Sequence, residues 1–156
     1  MRVKTGIFLG MVSLLLAAIL RGGGIDIRQM ILFINIPAAL LPALGVIASM
    51  LVNYAPADII RNFKTCRLVR RNKIIIDEET VRGLALFYDS LGVYSIAWGV
   101  IITVVGFILM AANLYDTAQL ASGFAIAILS VYYGLIAAYL VFFPLSRKFR
   151  IEWKKR

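Results

Sequence analysis

The chain has 156 residues, of which 62% are hydrophobic and only 16% charged, with a net charge of +9 and a mean hydropathy of +0.88. A soluble domain of this length cannot hide that much apolar surface, so the bilayer must act as solvent for most of it. Histidine is absent and Cys66 is the sole cysteine, which excludes imidazole chemistry and an intrachain disulfide; no Cys/Asp/Glu group at ligand spacing suggests a metal or an enzymatic centre.

The first apolar run, Thr5–Leu20, follows Arg2 and Lys4 and has the outline of a signal peptide. It ends in Arg21-Gly-Gly-Gly without an A-x-A-like site and further spans follow, so it is expected to remain as a first span. Gln29–Val52 is the second, Leu91–Leu114 the third and Ala118–Phe143 the fourth, and none of them contains a charged residue. Thirteen of the 17 Lys and Arg residues lie in Arg61–Arg82 and Arg147–Arg156. Basic segments are retained on the cytoplasmic side, which places both termini and the 53–90 connector inside. The two short connectors, Arg21–Arg28 and Tyr115–Thr117, then face outward.

The expected architecture is an all-α integral membrane protein with four transmembrane helices, both termini cytoplasmic and a short cytoplasmic helical hairpin between spans 2 and 3. It divides into a first hairpin (1–52), a cytoplasmic connector (53–90), a second hairpin (91–144) and a basic tail (145–156). Within the connector, Ala57–Arg71 reads as a helical prolongation of the second span, entered through Pro56. Asp77 reads as an N-cap with Glu78 and Glu79 in the first turn, from which Val81, Leu84, Leu86/Phe87 and Leu91 run into the third span. Capping accounts for this acidic trio with less than a metal site would require. Attraction to anionic lipid likewise accounts for Arg67, Arg70, Arg71 and Lys73 with less than nucleic-acid binding would.

Small residues recur at four-three-four spacing along every span, as in Gly6, Gly10, Ser13, Ala17 and in Ala38, Pro42, Gly45, Ser49. The third span has Gly99, Thr103, Gly106 and Met110, and the fourth has Gly123, Ala127, Ser130 and Gly134, followed by Ala137 and Ala138. Such residues share a helix face and let backbones approach closely. They serve either packing within one subunit or a seam between copies in a homo-oligomer.

The stretches Ile34-Asn-Ile-Pro-Ala-Ala-Leu-Leu and Leu51-Val-Asn-Tyr-Ala-Pro-Ala-Asp-Ile-Ile-Arg-Asn-Phe-Lys resemble the second span and exit helix of the MotA/TolQ/ExbB family, closest to the MotA flagellar stator subunits. Tyr94-Ser-Ile-Ala-Trp-Gly-Val-Ile-Ile-Thr-Val-Val-Gly-Phe-Ile resembles the third-span pattern Y-x-P-A-F-G-M-I-G-T-V-I-G-L-I. Gly123 through Leu129-Ser-Val-Tyr-Tyr-Gly-Leu-Ile-Ala-Ala-Tyr-Leu-Val-Phe-Phe-Pro-Leu-Ser-Arg-Lys resembles the fourth-span pattern. Gly99, Thr103 and Gly106 fall on that family's G, T and G, Ser130 on a threonine, and Tyr133, Gly134, Ala138 and Pro144 on its Y-G, alanine and inner-end proline. Pro37 leads the second-span helix.

The resemblance implies a multi-pass protein of the bacterial inner membrane, assembled as a pentamer around a single-span MotB/ExbD-like partner. The partner's aspartate would carry a proton or sodium past Thr103 and Ser130, and ion flow would drive rotation. It implies no cofactor and no enzymatic activity, and the charge-free spans agree, because an ionisable group at mid-membrane is costly. Several positions depart from the pattern: Ile96 for proline, Ile102 for glycine, Val131 for threonine, and Leu44 and Val46 in place of two residues of G-G-T. The inner segment is also shorter than the rotor-contacting domain of typical stators. A non-conducting membrane scaffold of the same descent, or a small unrelated multispan transporter or assembly factor, are the alternatives.

Overall fold

The computed structural model describes residues 34–70, 77–112 and 117–154, all but a few of them helical and none in a strand. Helix α1 is Ile36–Asn53, α2 Pro56–Arg70, α3 Glu78–Ala112 and α4 Thr117–Ile136. A π-helical segment, Ala137–Phe142, joins α4 to α5, Phe143–Lys154. Three stretches among the described residues are long and apolar enough to cross a membrane: Ile36–Asn53, Glu78–Ala112 and Gln119–Ile151. They correspond to the expected spans 2, 3 and 4; the expected first span lies outside the described residues.

Local chemistry sets the helix ends. Asn35 is extended, and its side chain accepts the Ala38 amide at 3.1 Å, so α1 starts at Ile36 with Pro37 in its first turn. It ends where Tyr54 turns extended and Ala55, held out of the α region by Pro56, lets its carbonyl accept the Asp58 and Ile59 amides that begin α2. Asp77 caps α3 through the Thr80 amide (3.1 Å) and hydroxyl (2.6 Å), which hold its carboxyl below the usual range.

With 35 residues, α3 is about 52 Å long against a hydrocarbon core of about 30 Å, so it projects well beyond the membrane. The side chains of that projection, Val81, Leu84, Phe87 and Tyr88, form a buried cluster with Cys66 and Phe149, which Leu91 and Met50 continue to the ends of their spans. Here water supplies the drive to bury apolar surface.

One expectation changes. The second helix does not prolong the first, because Tyr54 packs edge-on against Phe87 while Phe63, about 10 Å along α2, still packs against both Phe87 and Tyr88. A helix lying alongside α3 would have left that level, so α2 crosses α3, which runs through the membrane. The basic stretch from Leu145 to Lys154 is helical as well. It lies in α5, continuous with α4, laid along α3 with Phe149 stacked on Tyr88 at 6.0 Å, and with Arg150 (3.0 Å) and Ser146 (3.4 Å) on Asp89. That ion pair is about half exposed and contributes at most about 1 kcal/mol.

Burial pushes the Tyr88 phenol well above its ordinary value, and the hydrogen-bonded Cys66 thiol adds to the rise. The folded state therefore holds this proton more tightly than the unfolded chain. The stabilisation is complete below about pH 10, the ordinary phenol value, and is lost as pH rises through the higher folded value. Thermal melts in detergent should show stability falling above pH 10, and Tyr88→Phe should flatten that fall; an identical alkaline decline in the variant would remove Tyr88 as its cause.

Candidate functional site

Inside the membrane the packing changes character. Helices α3 and α4 run antiparallel with their small residues pressed together. A Cβ placed on Gly134 would collide with the Ser95 carbonyl oxygen, and one on Gly99 would lie 3.1 Å from the Ser130 carbonyl oxygen and the Val131 Cα. One on Gly106 would meet the Ala127 Cβ at 2.8 Å, and one on Gly123 would meet Met110. Gly99, Gly106, Gly123, Ala127 and Gly134 are thus occupied with one another, or with Met110, within a single chain. Ala138 is fully buried in the π-helical segment. Such contacts replace the hydrophobic drive that lipid does not provide.

Thr103 and Ser130, near the middle of their spans, sit differently. The Thr103 hydroxyl lies 2.8 Å from the Gly99 carbonyl and 2.7 Å from that of Ala127, and the residue is half-buried in the α3–α4 groove. Its one proton serves these two acceptors, leaving the oxygen lone pairs able to accept a proton donor or ligate a cation. Ser130 is fully buried, and its hydroxyl lies 2.8 Å from the Ile126 carbonyl and 3.3 Å from that of Ala38 on α1.

The Ala38 carbonyl has a specific need. Pro42 stands four residues on and has no N–H, so it leaves that acceptor without its α-helical donor. In hydrocarbon an unsatisfied carbonyl is costly, and Ser130 supplies the donor from the neighbouring helix. Pro144 has an analogous effect at the inner end of α4. It cannot donate to Leu140, and just ahead of it the ladder widens to the π pattern, with the Phe143 amide bonded to the Ala138 carbonyl. Pro37, in the first turn of α1, is exposed and removes no interior hydrogen bond.

Two residues to which the sequence assigned no role, Trp98 and Asn35, hold α1 in place. Trp98 lies over Gly45, where a Cβ would collide with the indole, and its Nε1 donates to the Ser49 hydroxyl at 2.8 Å. The Asn35 amide donates to the Tyr133 hydroxyl at 3.2 Å. A polar edge on Trp or Tyr in a charge-free span requires a partner, which is the signal a sequence carries for such ties. No Asp, Glu, Lys or Arg occurs in α1, in 91–112 or in 117–143. At mid-membrane, therefore, the described spans offer hydroxyl and carbonyl oxygens and no carboxylate.

The model of the MotA/TolQ/ExbB proton channel family matches residues 61–156. Among curated proteins, YtxD of Bacillus subtilis (strain 168) is 39% identical over 85 residues, 54% of this chain and 31% of its own. The chemotaxis protein PomA of Vibrio alginolyticus is 29% identical over 103 residues, 66% of this chain and 38% of its own. The chain spans about a third of the length of these relatives. The solved structure of C. jejuni MotAB is similar in fold, with a TM-score of 0.68 at 16% identity over 99% of this chain and 82% of that one.

Ser130→Ala should destabilise the chain by about 1–2 kcal/mol, because the Ala38 carbonyl loses its donor. Adding Pro42→Ala restores an N–H four residues on and should recover most of that loss. Unfolding in detergent of both single variants and the double variant measures the coupling; additive effects would show that the bond to Ala38 carries no weight.

Proposed function

The chain belongs to the MotA/TolQ/ExbB proton channel family, and from that premise we propose that it is the ring-forming subunit of an ion-driven energy transducer of the bacterial inner membrane. In this reading several copies surround a single-span MotB/ExbD-like partner, and the partner's aspartate carries the proton or sodium ion. The observation that carries the reading is the pairing of charge-free spans with a half-buried hydroxyl at mid-membrane, Thr103. An oxygen site without a carboxylate can pass an ion along but cannot hold a proton itself, so the mobile charge has to be brought by another chain. No more than 28% of the apolar stretch of any of the three described spans is buried within the subunit, which leaves wide faces for lipid and further copies. The C. jejuni neighbour is a MotAB complex, which supports a two-component assembly here.

Thr103 would line the ion path through its free lone pairs. Ser130, engaged with α1, would form the wall behind it and reach an ion only if that bond opened. The role is that of a channel subunit and transducer rather than an enzyme. A second reading, an assembled scaffold that conducts poorly, is favoured by one observation. The Ser130 hydroxyl is committed to a backbone carbonyl, and Ile96, Ile102 and Val131 stand where the family pattern has proline, glycine and threonine.

The test is ion flux into vesicles carrying this chain together with a single-span partner that bears a membrane aspartate. Thr103→Val should lower flux about tenfold, the value of one hydrogen-bonding oxygen, and Thr103→Ser should retain most of it. Unchanged flux in Thr103→Val would remove Thr103 from the path. A ring that assembles with the partner and passes neither protons nor sodium would establish the scaffold reading instead.

A further inference from the structure

An open cleft of about 370 Å³ lies between α1, α3, the end of α4 and the π-helical segment. Pro42, Val46 and Met50 wall it on one side and Leu91 and Phe142 on the other, and Phe63 of the crossing helix α2 stands at its inner end. The residues place it by depth. Leu91, Met50 and Phe142 mark the basic-side ends of their spans, whereas Pro42 and Tyr133, which also lines it, lie near the middle. The cleft therefore occupies the half of the bilayer on the cytoplasmic side.

Its polar atoms already have partners. The Ser95 hydroxyl donates to the Leu91 carbonyl at 2.8 Å, and the Tyr133 hydroxyl accepts the Asn35 amide. What remains is hydrocarbon surface, open sideways past the exposed Ala39, Ala43 and Ile47 of α1. At the inner end the chemistry reverses. Because α2 crosses α3 near Phe87 and Tyr88, one turn beyond Leu91, it lies at the level of lipid headgroups. Arg67 sits one turn beyond Phe63 on the same face, and Lys64 is adjacent to Phe63. Both are exposed and pair with no carboxylate among the described residues, whereas Arg61 is paired with Asp58.

An apolar cleft of leaflet depth that ends at two available cations matches one class of molecule, an amphiphile with a hydrocarbon chain and an anionic head. We propose that this is a binding site for an anionic phospholipid of the inner leaflet, with an acyl chain in the cleft and the headgroup phosphate on Arg67 and Lys64. Attraction of this kind attaches the lipid where α1, α2 and α3 meet, and it does not depend on ion conduction.

Trp98 reports on the cleft, since it packs over Gly45 beside the lining residues Pro42 and Val46. In the full chain carrying Trp153→Phe it is the only tryptophan. The protein is reconstituted into phosphatidylcholine vesicles doped with either phosphatidylglycerol or phosphatidylcholine brominated on the acyl chains, and Trp98 fluorescence is followed. The phosphatidylglycerol probe should quench at a much lower mole fraction than the phosphatidylcholine probe. Arg67→Gln should narrow that preference about fivefold, the value of one basic side chain at an anionic surface, and Lys64→Gln should narrow it further. Ala43→Phe, which fills the cleft, should abolish quenching at low probe fractions; Ala39→Leu, which asks less of the packing, should weaken it in the same direction. Equal quenching by the two probes in the parent protein would overturn the proposal, as it would if lipid only surrounds the protein or if another protein segment fills the cleft. Preference for phosphatidylglycerol that survives both cleft-filling substitutions would also overturn it, by placing the lipid on the surface alone.

Discussion

A single backbone carbonyl orders the membrane half of this protein. Pro42 leaves the Ala38 oxygen without its helical donor, and no water is available there to replace it. Ser130 donates from α4, so α1 is held against the α3–α4 pair at a defined rotation, and Gly45 comes to lie under Trp98. The Asn35–Tyr133 contact fixes the outer end of the same helix. A proline that would weaken a soluble helix here becomes the point of attachment between two spans.

The chain uses two different packing forces along one axis. Below the membrane, Leu84, Phe87, Tyr88 and Phe149 pack as the core of a soluble protein does, with large side chains excluded from water. Within it, Gly99, Gly106, Ala127 and Gly134 bring backbones together, because contact area and not water exclusion is what lipid leaves available. The long helix α3 takes part in both regimes, which makes it a rigid link between the mid-membrane Thr103 and the cytoplasmic junction of α2, α3 and α5. The π-helical turn ahead of Pro144 lies where one regime gives way to the other.

This division bears on function. Close packing of α3 against α4 occupies these small residues within the chain, while Val100, Val104, Phe107 and Ile108 of α3 stay exposed. Both hydroxyls tie helices together, Thr103 to α4 and Ser130 to α1, but only Thr103 is exposed enough to offer its lone pairs. The proposed transducer role therefore concentrates on Thr103, and the proposed lipid site lies nearer the basic-side ends of the spans.

Much was legible in the sequence because membrane solvation writes itself into composition. Charge-free apolar runs and clustered basic residues determined three of the spans and their helical nature, and Asp77, Pro56 and the four-three-four spacing determined where helices begin and which faces pack. The backbone is local in its demands, so caps and prolines can be read directly. The tertiary structure alone decided which helix each face meets. That Ser130 serves Ala38, that α2 crosses α3 instead of prolonging α1, and that α5 lies along α3 through Phe149 and Tyr88 all depend on residues tens of positions apart. Spacing along one helix fixes a direction around its axis; it carries no information about what stands in that direction until the other helices are in place.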